Sequence, residues 1–294
     1  MNDTDTALPD PEVLNAAYLK RHPRLGSSVL CSSVYALNRY FVAKVGDRTT
    51  PGEAATMIFL RHRGVPVPEV YLHFADPTTG EYCIIMERID GTPLEEAPGL
   101  DDPSWRGTIT SQLAAILKAL RDLKLDESSE KIIGSLCFVR PEAAASEGIA
   151  LGPVRDAFFS DRKGGQAPGL YRTELGFREA IMECVDRRGD RSDGTDLALS
   201  LLEQMPGTES GQNEEQEIVF THGQLDARHI LVKGDKVVGI VDWSQAGFYP
   251  GYWEYVKAHF WPSDNEQANA IIREAMEPRQ MELAVWLHAK SVIW

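Results

Sequence analysis

Four stretches of this 294-residue chain carry side chains that could do chemistry, and they follow one another in an informative order. The first, FVAKVG, puts Lys44 inside an otherwise apolar strand. A lysine there is costly unless its charge finds a partner. Glu53, in the helix that follows, is the candidate; the plainer alternative is an ordinary surface ion pair. The second stretch, IIMERIDG, is a strand running into a linker at Glu87 to Ile89. The third is FTHGQLDARHILV, and the fourth is GIVDWSQAG, in which Asp242 sits just after an apolar strand.

Around these stretches the elements that must position them can be read from period and punctuation. SSVYALNRYFVAKVG reads as two strands joined near Asn38-Arg39, with Val34, Tyr40, Val42, Ala43 and Val45 as β-formers. Pro51 to Gly64 reads as a helix, with proline in its first turn and glycine past its end. Residues 11–21 read as a helix beginning at Pro11. VPVPEVYLHF is extended, because residues before proline avoid the helical region. EYCIIMERI is a strong strand. In TITSQLAAILKALRDLKL, Ile109, Leu113, Ile116, Leu117, Leu120 and Leu123 share one helical face. Residues 140–176 show no clear period and are expected to run as a long surface excursion. Helices near 177–188 and 194–205 follow. IVFTHG and HILVKGDKVVGIVDW return to strand character, with a turn at Gly234-Asp235, and the tail from Tyr252 reads as helical.

Composition narrows the function. The chain is 43% hydrophobic and 25% charged, as in ordinary globular proteins, and its net charge is -14. Such an acidic surface repels nucleic acid and anionic lipid, so neither is an expected partner. The four cysteines, Cys31, Cys83, Cys137 and Cys184, have no zinc, redox or disulfide spacing. Cys83 reads as a small buried hydrophobe. The start, MNDTDTALPDPEV, lacks the features of a signal peptide, and no run of apolar residues is long enough for a membrane span. The cytoplasm is the expected compartment.

Together with GVPVPEVY, IIMERIDGTPLEE, the IGS of Ile133 to Ser135, GPVRDAFF and IVDWSQAGFYPGYWEYVKA, the four stretches make the chain resemble the aminoglycoside phosphotransferase family, especially its fungal-type members. The resemblance covers nearly the whole chain. It implies an α+β, protein-kinase-like fold of two lobes: a small β-rich lobe over residues 1–90 and a larger, mainly helical lobe over 91–294. By resemblance Lys44 is the lysine that holds nucleotide phosphates and Glu53 its helix partner. Glu87 to Ile89 would face adenine with their backbone, and Asp242 would hold the metal. ATP and Mg²⁺ are the cofactors the family uses. No glycine-rich loop is present; serines of SSVLCSSVYAL occupy that turn.

The departures are concentrated in one loop. The family pattern H-G-D-x-x-x-x-N begins correctly with His222 and Gly223, but Gln224 takes the catalytic Asp position and His229 the metal-binding Asn position. A carboxamide cannot usefully accept a proton at neutral pH. Imidazole suits Zn²⁺, Mn²⁺ or Fe better than Mg²⁺. Both changes count against ordinary use of ATP and Mg²⁺. Asp226 is a candidate relocated base, or else a loop cap. His222 has a structural role in the family, although His222, Asp226, His229 and Asp242 could converge on one floor as a metal or acid–base site.

Three functions remain open from sequence. The leading one is a small-molecule protein whose phosphoryl transfer is lost or altered, the cleft being reused for other chemistry by Gln224, Asp226 and His229. The alternatives are an ATP-dependent alcohol phosphotransferase with an atypical loop, and a non-catalytic nucleotide- or partner-binding pseudokinase. The segment Tyr249 to Trp253 either walls an acceptor pocket or packs at a helix start. Substrate identity and oligomeric state are not encoded in any motif.

Overall fold

A computed structural model describes residues 7–8, 10, 13–25, 33–125, 132–139, 148–159, 169–188, 193–205 and 217–293. The expected first helix shortens to α1 (Ala16–Leu19), because Asn15 caps it by accepting from Tyr18 N. The Asp76 carboxylate accepts from Ala16 N at 2.5 Å and fixes the same end.

β1 (Arg24–Leu25), β2 (Ser33–Ala36) and β3 (Phe41–Val45) follow. Asn38 makes the expected turn between β2 and β3, its side-chain oxygen accepting from Tyr40 N and Phe41 N at 2.8 and 3.0 Å. The serine-rich turn and Cys31 lie outside the described residues. α2 (Pro51–Arg61) starts as the punctuation requires, with Thr50 as N-cap and Pro51 in the first turn. β4 (Val70–Ala75) and β5 (Tyr82–Glu87) complete an antiparallel sheet of order β1-β2-β3-β5-β4. β3 is therefore central, which buries Lys44 along with Val42, Ala43 and Val45.

Beyond β5 the chain is mainly helical. β6 (Thr92–Pro93) precedes α3 (Pro103–Arg121), whose expected face supplies buried Ile109, Leu113, Leu117 and Leu120. β7 (Ser135–Val139) pairs with β8 (Gly148–Gly152), and α4 (Glu174–Arg188) and α5 (Asp193–Glu203) follow. β9 (Ile218–Thr221), β10 (Ile230–Lys233), β11 (Lys236–Ile240) and β12 (Gly247–Pro250) carry the candidate site. β10 pairs with β11 and β6, and β12 pairs with β9. α6 (Trp253–Ala258), α7 (Glu266–Glu274) and α8 (Gln280–Ile293) form the tail. Among the described residues, no helix is long and apolar enough to cross a membrane.

The surface excursion expected over 140–176 is corrected in part. Its described portions hold β8, paired with β7, and then Val154, Phe158 and Phe159, which enter a core with Phe177, Tyr249, Trp253 and Trp286. The contacts are with rings far along the chain, so no local period announces them. The same core decides the Tyr249 to Trp253 segment. Tyr249, Tyr252 and Trp253 are each at most 1% exposed, so they pack rather than wall a pocket.

Candidate functional site

Lys44 stands between two carboxylates. Its ammonium donates to Glu53 Oε1 at 2.7 Å and to Asp242 Oδ1 at 2.8 Å. Burial would strip the lysine of its proton, but Asp242 and Glu53 outweigh it and hold its pKa above the ordinary value. Burial likewise acts to raise Asp242, and Lys44 and His229 overcome it, holding that carboxyl well below the usual range. Glu53 is raised by its burial, and its second oxygen has no hydrogen-bond partner. Asp242 sits at φ 63, ψ 64, in the left-handed region. Among the described residues it is the one non-glycine with positive φ. Such strain costs roughly 1–3 kcal/mol and is characteristic of functional positions.

Below Asp242, the loop from His222 to His229 is held by its own side chains. His222 is fully buried; its Nε2 donates to Val241 O at 2.9 Å and its Nδ1 accepts from Gln224 N at 3.3 Å. Burial, with His229 nearby, lowers its pKa to about 4, so it is a neutral brace with both nitrogens occupied. Gly223 has φ 75, and a Cβ there would lie 2.5 Å from Gln245 O. Only glycine meets both demands. Asp226 accepts from Arg228 N at 2.8 Å and from its guanidinium at 2.9 and 3.2 Å. That engagement gives Asp226 the geometry of a loop cap, with both carboxylate oxygens occupied by Arg228. His229 Nδ1 donates to Gln224 O at 2.9 Å, which turns Nε2 toward Asp242 Oδ2 at 3.6 Å.

Behind the loop, a buried network links residues that sequence reading did not single out. Lys257 and Asp156 form an ion pair at 2.9 Å with side chains 1% and 0% exposed. Lys257 also donates to Gln245 Oε1 at 3.1 Å, and Gln245 Nε2 donates to Gln224 Oε1 at 2.6 Å. Arg155 ties the hairpin to α2, donating to Leu136 O at 2.6 Å, Ser244 O at 3.1 Å and Thr56 Oγ1 at 3.3 Å. It lies so close over Gly52 that a Cβ there would be 1.4 Å from the guanidinium. Arg155 and Asp156 lie within GPVRDAFF and Gln245 within DWSQAG. Their only signal was charge or amide beside apolar neighbours.

Glu254 is the remaining brace, accepting from His222 N at 2.5 Å and Gly223 N at 3.2 Å. Burial pushes its pKa up to about 7 from an ordinary 4.5. A raised carboxyl favours the protonated folded state, so its stabilisation is full below the ordinary pKa and is lost as pH climbs through about 7. Unfolding free energy is expected to fall by up to about 3 kcal/mol between pH 5 and 8 on this account. Denaturant titrations across that range should show a smaller fall in Glu254→Gln, which cannot titrate.

At the end of β5, Glu87 N donates to Glu69 O at 2.8 Å and Arg88 N to Tyr40 O at 2.7 Å. The Ile89 side chain packs over Gly239, while its backbone N–H has no protein partner among the described residues. Ile89 therefore offers a donor to a ligand, whereas the Glu87 N–H is already used. The structure thus brings Lys44, Glu53, His229 and Asp242 into one chain of contacts, with His222, Gln224 and Asp226 in the loop beneath.

Comparison with known proteins bears on the family and the fold. A model of the phosphotransferase enzyme family matches residues 33–283, and the chain belongs to that family. A thermostable mutant of aminoglycoside phosphotransferase APH(4)-Ia, in its apo form, superposes with a TM-score of 0.59 at 17% identity, covering 92% of this chain and 84% of that one. A thermostable mutant of the same enzyme in ternary complex with ADP and hygromycin B gives 0.57 at 17% identity, covering 92% and 86%. Aminoglycoside phosphotransferase APH(3'')-Id from Streptomyces rimosus gives 0.52 at 16% identity, covering 92% of each chain. These likenesses establish the kinase-like α+β fold. No curated protein sequence matches the chain.

Proposed function

We propose that the protein is an ATP-dependent phosphotransferase acting on a small molecule, working without a general base at the usual loop position. The observation that carries this reading is the bridge from Lys44 to both Glu53 and Asp242, at 2.7 and 2.8 Å. A buried, doubly paired lysine is poised to hold nucleotide phosphates, and phosphoryl transfer depends chiefly on positioning and electrostatics. Absence of the base is expected to cost about 10²–10⁴-fold with an acceptor that must lose a proton. The reading in which the loop does other acid–base chemistry is less well supported. His222 and Asp226 are committed to holding the loop, leaving His229 Nε2 as the loop nitrogen turned toward Asp242.

Among the described residues no group of three or more His, Cys, Asp or Glu could hold a metal ion. The donors that fit one are Asp242 Oδ2 and His229 Nε2, with nucleotide phosphates and water completing the shell. Such an ion supplies neutralisation of phosphate charge when bound. One carboxylate oxygen and one imidazole nitrogen favour Mn²⁺ over Mg²⁺. Calorimetry is expected to show ATP binding about tenfold tighter with Mn²⁺ than with Mg²⁺. His229→Asn should erase that preference while leaving binding intact. Absence of binding with either ion would end the phosphotransferase reading.

A further inference from the structure

The orientation of the Gln224 carboxamide is dictated by three other groups. Lys257 Nζ and Ala157 N have only protons to offer. Both approach the same atom of Gln245, its Oε1, at 3.1 and 3.2 Å. The Gln245 atom turned toward the loop is therefore the amide nitrogen, and it donates to Gln224 Oε1 at 2.6 Å. Only an oxygen can receive that bond. Gln224 is left with its NH₂ group, which has no protein partner among the described residues, on a part-exposed side chain. The position where the family pattern has a proton acceptor thus presents a pair of proton donors.

Resting on the phosphotransferase reading, we propose that the acceptor oxygen in this reaction is already anionic, a carboxylate or a phosphate monoester, and not an alcohol. An alcohol must shed its proton as it attacks, and an NH₂ group cannot take it. Donation from that group to a hydroxyl oxygen would also draw electron density away from the attacking atom. A carboxylate or phosphate oxygen carries its charge at neutral pH, accepts a hydrogen bond from NH₂ and attacks with no proton to lose. The neutral amide also spares it the repulsion that an Asp here would exert.

The step balances without a base. A bond forms between the acceptor oxygen and the γ-phosphorus of ATP, and the bond from that phosphorus to the bridging oxygen breaks. Its electron pair leaves on ADP. The product is an acyl phosphate from a carboxylate, or a diphosphate linkage from a phosphate monoester.

The test is ADP release by the full chain with Mn²⁺ and ATP, over a panel of monocarboxylates, sugar phosphates and nucleoside monophosphates beside neutral polyols and hygromycin B. Hydroxylamine in a parallel set traps an acyl phosphate as a hydroxamate and separates the two anionic classes. An anionic acceptor is expected to outpace water, with neutral alcohols at background. Gln224→Asp should cut turnover of that acceptor by about tenfold or more through like-charge repulsion. The proposal is overturned if alcohols are the acceptors in the unmodified protein, if no anionic acceptor outpaces water, or if Gln224→Asp leaves anionic turnover unchanged. Calorimetry of ATP binding separates the two levels: binding without anionic turnover sinks this inference alone, whereas no binding sinks the phosphotransferase reading with it.

Discussion

Asp156→Ala is expected to destabilise the protein by about 3–5 kcal/mol, because it strips the partner from a cation with nowhere to go. Lys257 is 2% exposed, and both Asp156 oxygens lie within 3.0 Å of its ammonium. The same carboxylate also accepts from Trp253 Nε1 at 3.1 Å and Phe158 N at 3.0 Å, so its loss orphans two further buried donors. The double variant Asp156→Ala, Lys257→Met should recover part of the loss, since an apolar pair leaves no buried charge. Urea denaturation of the single and double variants measures both effects. Equal stability of Asp156→Ala and the unmodified chain would mean that water reaches Lys257.

Lys44→Ala is the second large expectation. Without the ammonium, buried Glu53 and part-exposed Asp242 are left with no cation between them, and their repulsion favours protonation of one. The folded state is expected to lose about 3–5 kcal/mol, as when one partner of a buried pair is removed. Affinity for ATP should fall by about 100-fold, equivalent to roughly 2.7 kcal/mol. Calorimetry at a temperature where the variant remains folded reads the second effect separately from the first. Retained affinity would remove Lys44 from the phosphate site.

The sequence made some of these groups visible and hid others for identifiable reasons. Lys44 stood out because a charge in an apolar strand violates local pattern, and Glu53 because it lies in the first turn of a helix with clear start signals. The β2–β3 turn, α2 and the buried face of α3 followed from spacing alone. Lys257 and Asp156 gave no such signal. Each is a common charge among apolar neighbours, and they meet only when the chain folds back over 101 positions. Gln245 is an unremarkable amide until its partners fix which end is oxygen. The loop replacements were legible as replacements, but the donor that Gln224 presents depends on Gln245, Lys257 and Ala157 together. Residues 140–176 mislead because one short strand and a few aromatic anchors have too little repeat to register.

Arg155 has a thermodynamic consequence for ligand affinity. By gripping Gly52 and Thr56 on one side and the carbonyls of Leu136 and Ser244 on the other, it anchors the helix that carries Glu53. Kinase-like proteins that let this helix swing bind nucleotide through a minority population, and measured affinity is reduced by that fraction. On the phosphotransferase reading, the helix that carries Glu53 is already docked against Lys44 in this structure, so nucleotide binding would carry no penalty for bringing that helix into place.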